Sequence, residues 1–374
     1  MRPEARFWLF VFRFFEFVSS FDIRISDFRV VGKWVINRAF FQNNKLPFIE
    51  TEFIKRGAGV FAMPLFETYM FVDWSARNAL TSKNPSKDSI WVGEFSLDSN
   101  ELTENYFRGR CECFDSIVDR LSYHFKRNHR ILLGFDFAYG YPQGLASALY
   151  LPTGTRAAWW NIWTEISSRV KDDEKNTNNR FIAASDLNGI VGSGDGGPFW
   201  GVPKGQATDD LHSNSPGFPF RAQNGVDLKR LRLAEIRLPQ VQETWKLYGT
   251  GSVGGQSLVG IPYLLRLRRS VDFVQRSAVW PFETNFIATP TPPTGPFIIH
   301  AEIWPGVVKE AVASIAENQP AAIRDQIQVR AMCQWAADLD LRNELGRSFD
   351  MPEGLEKRQI KTCIEQEGWI LGAL

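Results

Sequence analysis

Tyr69-Met-Phe-Val-Asp-Trp-Ser75 and Arg130-Ile-Leu-Leu-Gly-Phe-Asp136 are the stretches on which the reading of this chain turns. Each is a short apolar run that reaches an aspartate at or near its end, the pattern of a buried strand that stops at a polar edge. The signals between them are local. Ser86-Lys-Asp88 reads as a turn, Ser89-Ile-Trp-Val-Gly-Glu-Phe95 as a second strand, Asp98-Ser-Asn100 as another turn and 102–108 as a third strand. Residues 111–127 carry Phe114, Ile117, Val118, Leu121 and Phe125 at the spacing of one helical face.

Short links between the first three strands suit an antiparallel meander, and a helical crossover returns the next strand parallel to the first. That order is the opening half of a ribonuclease H-like α/β topology, a mixed sheet of a three-strand meander plus parallel strands. The sheet is expected to resume at Phe297-Ile-Ile-His-Ala-Glu-Ile303. A helix over 320–339 follows, with Ile323, Ile327, Met332, Trp335 and Leu339 on related faces. Residues 138–296 read as one large insertion before the last core strand. It should hold a helix over 155–170, a polar loop over 171–179, and glycine- and proline-rich pieces that shape a site. Trp369, Ile370 and Leu371 are expected to dock the tail.

Composition sets the outer bounds. The chain has 374 residues, 44% hydrophobic and 23% charged, enough for a sizeable core. With 43 basic residues against 42 acidic ones, it is not a dedicated polyanion coat. Cys111, Cys113, Cys333 and Cys363 form no disulfide framework and no CxxC pair, and four histidines leave little material for zinc. Phe7 to Val18 reads FWLFVFRFFEFV, interrupted by Arg13 and Glu16 and short of the roughly 20 residues a membrane helix needs. Residues 1–62 therefore read either as an amphipathic membrane-surface segment or, the preferred reading, as an N-terminal extension, disordered or foreign to the fold, with Met63 or Met70 a natural start. Residues 63–374 are the expected ribonuclease H-like domain. A cytoplasmic location and no membrane partner follow from the same reading.

The chemistry is carried by acids. Asp73, Asp136 and Glu302 fall near the ends of predicted neighbouring strands, and Asp325 in the first turns of the last long helix. Ligands of open α/β sheets bind outside the carboxyl ends of parallel strands. Acids converging there repel one another and hold raised pKa values unless a cation neutralises them. Mg²⁺ or Mn²⁺ takes such oxygen ligands and bridges to phosphates. Asp73, Asp136, Glu302 and Asp325 are thus the candidate catalytic residues, the first three of them as metal ligands. The blander account has each acid capping a helix or accepting backbone N–H bonds. For Asp325 the helix dipole suffices, and Asp338 and Asp340 compete for its role. His300, two residues before Glu302, is either a proton shuttle or a core histidine.

Gly249-Thr-Gly-Ser-Val-Gly-Gly-Gln256 could cradle a phosphate through Gly251, Ser252, Gly254 and Gln256. It lacks the lysine of a P-loop, and a turn that lets backbones approach closely explains it equally. Trp200, Trp280 and Phe282 stack bases or fill core. Glu283 could join the acids. The basic runs 229–232 and 266–269 bind phosphate or face solvent. Asn178-Asn179-Arg180 positions a substrate or caps a loop.

Taken together, Met70-Phe-Val-Asp-Trp-Ser-Ala76, Gly134-Phe-Asp-Phe-Ala-Tyr-Gly-Tyr-Pro142, Gly197-Pro-Phe-Trp-Gly201, the glycine stretch 249–256, Val279-Trp-Pro-Phe-Glu-Thr284 and Ala301-Glu-Ile-Trp-Pro305 resemble an uncharacterised bacterial family. That family is related to predicted ribonuclease H-like nucleases, and some members carry a cobalamin-biosynthesis label. The resemblance covers about 63–374. It implies a ribonuclease H-like core with Asp73, Asp136 and Glu302 at the acidic positions, Asp325 as a fourth, and a start near Met63. The expected function is a metal-dependent nuclease or phosphodiesterase acting on nucleic acid or a nucleotide. The alternatives are a nucleotide-binding phosphotransfer protein and a non-catalytic binding protein, the latter tied to cobalamin biosynthesis by the family label.

Overall fold

A computed structural model describes residues 63–152, 157–192, 194, 196–249 and 251–374. The expectation for residues 1–62 lies outside them. The strands are β1 (Thr68–Asp73), β2 (Ile90–Ser96), β3 (Glu101–Phe107), β4 (Arg130–Phe135), the short β5 (Phe220–Arg221) and β6 (Asp227–Leu228), β7 (Ser277–Val279) and β8 (Phe297–Glu302). The longer helices are α1 (Arg110–Lys126), α2 (Ala158–Arg169), α3 (Arg180–Gly192), α4 (Gly254–Arg269), α5 (Lys309–Asn318) and α6 (Arg324–Leu341).

Six strands form one mixed sheet in the order β3-β2-β1-β4-β8-β7, and β5 and β6 make a separate ribbon. β1, β2 and β3 pair antiparallel, whereas β4 pairs parallel to β1, and β8 pairs parallel to both β4 and β7. The meander, the α1 crossover and the return strand are as the pattern predicts. The proposed insertion is not wholly separate from the sheet, because its residues Ser277–Val279 add an edge strand.

Alternation along the strands gives the sheet two apolar faces. Met70, Val72, Ile131, Leu133 and Phe135 pack with Ile117 and Leu121 of α1 and with much of α2 and α4. Tyr69, Phe71, Leu132, Ile299 and Ala301 pack with Met332, Cys333 and Ala336 of α6. On that second face Phe71 stands in register between Gly93 and Gly134. A Cβ at Gly134 would lie 2.8 Å from the Phe71 ring, and one at Gly93 would lie 2.8 Å from the Val329 carbonyl oxygen. The ring thus occupies room that a neighbouring side chain would need, and α6 rests backbone to backbone on β2.

The tail docks as expected. Trp369, Ile370 and Leu371 are buried, and the Leu371 N–H donates to the Glu302 carbonyl at 2.9 Å. All four cysteines are free. No helix among the described residues is long and apolar enough to cross a membrane.

Candidate active site

Asp73 is the last residue of β1, and Asp136 follows the last residue of β4, its parallel neighbour. The Asp136 N–H donates to the Val72 carbonyl at 3.2 Å, and its Oδ1 accepts the Trp74 N–H at 2.7 Å. Asp136 is therefore fastened to the residues on either side of Asp73, and both acids share one rim of the sheet. Asp325 lies in the first turn of α6, which packs over β1, β2 and β3. Its Oδ2 accepts the Asp88 N–H at 2.7 Å.

Electrostatics bind these groups together. Burial, then the carboxylates of Asp136, Asp325 and Asp88, hold the Asp73 carboxyl well above the usual range. Burial pushes Asp136 up to about 7, against the relief given by the Trp74 N–H, and Asp325 adds repulsion. Asp325 is itself raised, chiefly by burial. Among the described residues no basic side chain makes an ion pair with Asp73, Asp136 or Asp325. Nor do three His, Cys, Asp or Glu side chains there come close enough to hold a metal ion unaided.

Glu302 stands elsewhere, contrary to its expected place among the metal ligands. It pairs in register with Phe135, so alternation directs it to the face opposite Asp136. Arg232 grips it with two bonds, Nη1 to Oε2 at 2.8 Å and Nη2 to Oε1 at 2.6 Å, and the Tyr139 N–H adds a third at 2.9 Å. Arg232 also donates to Glu235 at 2.8 Å and to the Glu367 carbonyl at 2.9 Å, and is 1% exposed. A buried carboxylate needs a counter-charge and donors, and here the chain supplies both. Arg232 sits in a basic run read as binding phosphate or facing solvent, so neither partner's role is visible from its own surroundings. His300 is fully buried with neither ring nitrogen bonded among the described residues, and burial lowers its pKa to about 3. It is a neutral imidazole, without the bonded relay a shuttle needs.

The end of the glycine stretch, where α4 begins, lies at the rim that carries the aspartates. Gly254 opens α4, a helix the sequence reading did not foresee. The Gln256 side chain donates to the Trp74 carbonyl, and Ser257 Oγ accepts the Ala138 N–H at 3.1 Å. The start of α4 is thus stitched to the chain just beyond Asp73 and Asp136. A Cβ at Gly254 would lie 2.2 Å from the Thr244 carbonyl oxygen, so close backbone approach accounts for that glycine. Gly251 has a φ of +69°, and Ser252 is half-buried. Arg110 holds the same chain segment from beneath, donating to the Ser75 and Arg77 carbonyls at 2.9 and 2.8 Å while forking onto Asp172.

The remaining candidates are structural. Glu283 pairs with Arg268 at 2.7 Å, Trp280 is fully buried, and Phe282 stacks on Trp159 at 4.7 Å. The Trp200 indole donates to Glu243 at 2.6 Å. Asp340 accepts the Leu65 and Phe66 N–H groups and the Tyr69 hydroxyl, anchoring the entry to β1. No family model matches the chain, and no curated protein or solved structure matches it.

Proposed function

We propose that the chain is a metal-dependent phosphodiesterase or nuclease of ribonuclease H-like architecture. The strand order, with an antiparallel meander beside parallel strands and a helix laid over the meander, supports the architecture. The observation that carries the activity is the pair Asp73 and Asp136, side by side at the ends of parallel strands, raised in pKa and without a basic partner among the described residues.

The donor set fits Mg²⁺ or Mn²⁺ better than a closed all-protein metal cage. Mg²⁺ is commonly held by one or two carboxylates, waters and substrate phosphate, so two convergent aspartates suffice. Asp73 and Asp136 would hold the ion, with Asp325 across from them; Glu302 is committed to Arg232. When bound, the metal would polarise the phosphoryl oxygen and lower the pKa of the attacking water. The chain's own part is positional. The Trp74 N–H fixes Asp136 through one oxygen, the Asp88 N–H fixes Asp325, and Gln256 and Arg110 pin the loop that follows Asp73. Of Gly251, Ser252, Gly254 and Gln256, Gly254 gives its N–H to the Lys246 carbonyl at 3.0 Å and the Gln256 side chain is held by Trp74, which leaves Ser252 and the Gln256 N–H to receive a phosphate.

The test is Mg²⁺- or Mn²⁺-dependent cleavage of a panel of nucleic acids and nucleotide esters by wild type and Asp73→Asn. Cleavage by wild type and its loss in the variant are expected. Equal activity in the two proteins would remove the assignment.

A further inference from the structure

Arg180 begins α3 and is 7% exposed. Its Nη1 donates to Asn178 Oδ1 at 2.9 Å, and its guanidinium lies 4.2 Å above the Phe181 ring. No carboxylate pairs with it among the described residues. Asp172, the acid whose field reaches it, is already forked by Arg110. Burial, followed by repulsion from Arg110, lowers its pKa to about 10. Its Nε is buried with no hydrogen-bond partner among the described residues. A buried cation left without a counter-ion is costly.

Arg180 abuts the start of α4, where the Leu247 carbonyl oxygen would lie 2.7 Å from a Cβ on Gly255. A Cβ on Gly255 would lie 3.4 Å from Arg180 Nε and 3.5 Å from Ala76 Cβ, so the guanidinium stands against the first turn of α4 beside the loop that leaves β1. That helix has sixteen residues and no side-chain N-cap bond. The N–H groups of Gly255 and Gln256 find no acceptor among the described residues. Uncapped amides at the positive end of a helix dipole already favour an anion, and an unpaired arginine beside them supplies the charge.

We infer that Arg180 and the first turn of α4 form a pocket for a phosphoryl group. Arg180 on one side and the free N–H groups of Gly255 and Gln256 on the other would together serve a tetrahedral oxyanion, which carries acceptors on every side. The pocket adjoins the loop after Asp73, so the phosphate held there would flank the bond presented to the acids. That catalytic role rests on the phosphodiesterase reading; the binding itself does not.

The experiment measures binding of inorganic phosphate to the full chain by calorimetry and thermal shift. Wild type, Arg180→Gln and Arg180→Lys are compared. Wild type should bind phosphate, Arg180→Gln should lose about tenfold or more in affinity, and Arg180→Lys should fall between. Arg180→Gln without phosphate should be at least as stable as wild type, because it removes an uncompensated buried charge. A mononucleotide 5′-phosphate and an oligonucleotide lacking a terminal phosphate separate the sources: Arg180-dependent binding of the first marks a terminal phosphate, and of the second a backbone phosphate. A wild type indifferent to phosphate, or variants binding it with wild-type strength, would overturn the pocket. Should Arg180→Gln not fold, an unchanged affinity in Arg180→Lys serves as the overturning result. Arg180-dependent phosphate binding without any cleavage would retire the enzyme reading and leave the pocket standing.

Discussion

Glu302 and Asp136 lie one register position apart on neighbouring strands, and their charges are accommodated in opposite ways. Glu302 receives Arg232, a backbone N–H and a packed shell, so both of its oxygens are partnered within the fold. Asp136, with Asp73 and Asp325 around it, receives a backbone N–H but no cation among the described residues, and its pKa rises to about 7. A fold that can satisfy one carboxylate so completely and leaves the other group strained has placed its unfilled demand for positive charge at one rim. The difference separates an acid that holds the structure from acids without a counter-charge among the described residues.

Breaking the satisfied side should have the largest effect. Arg232→Met leaves Glu302, Glu235 and Glu367 around an absent cation, and the cost should be about 3–5 kcal/mol, read by urea unfolding. On the other side, Asp73→Asn should lower metal-dependent cleavage by about 100-fold or more while leaving the fold intact; circular dichroism and initial rates check both. Asp136→Asn should raise the Tm of metal-free protein by about 2–4 °C, since it removes a repelled carboxylate. Mg²⁺ should stabilise wild type more than this variant.

The pH dependence sharpens the contrast. Asp136 in the folded protein holds its proton up to about 7, whereas the unfolded chain releases it near the ordinary value of about 4. The folded state binds the extra proton between those values, so its contribution to stability is present below about 4 and declines as pH rises to about 7. Glu94, gripped by Arg120 and His124, is lowered to about 2 despite burial, and behaves in reverse. Its stabilisation is present above about 4 and lost as pH falls toward 2. The smallest expected effect is a shallower neutral-side decline in Asp136→Asn, with the acid limb unchanged, measured by denaturant midpoint across pH.

Much of this frame was legible in the sequence because its cues are local. The meander turns, the helical spacing of α1 and the aspartates closing two apolar runs need only neighbouring residues to be read. Two kinds of feature were not. Helix α4 carries Gly254, Gly255, Gly260 and Pro262, residues that argue against a helix by propensity. They are there for contact: a Cβ at Gly260 would lie 2.3 Å from the Phe137 ring. Packing outweighed propensity, and the glycine stretch therefore looked like a free loop. The three-residue β7 was likewise too short to show a period. The second kind is long-range partnership. Glu302 and Arg232 are separated by 70 positions, and nothing near either one announces the other. Asp73 and Asp136 could be placed together from topology, because a parallel pair brings strand ends side by side. Which face Glu302 takes depends on register, and register is set by the sheet as a whole.

Gly93 has a further consequence for the acids. Val329, whose carbonyl rests where a Gly93 side chain would stand, is one helical turn beyond Asp325. The absent side chain acts as a spacer of zero thickness that sets how far the start of α6 sits above the sheet. An alanine there would act as a shim, lifting the helix by a fraction of an ångström and carrying the Asp325 carboxylate away from its neighbours without touching any of them.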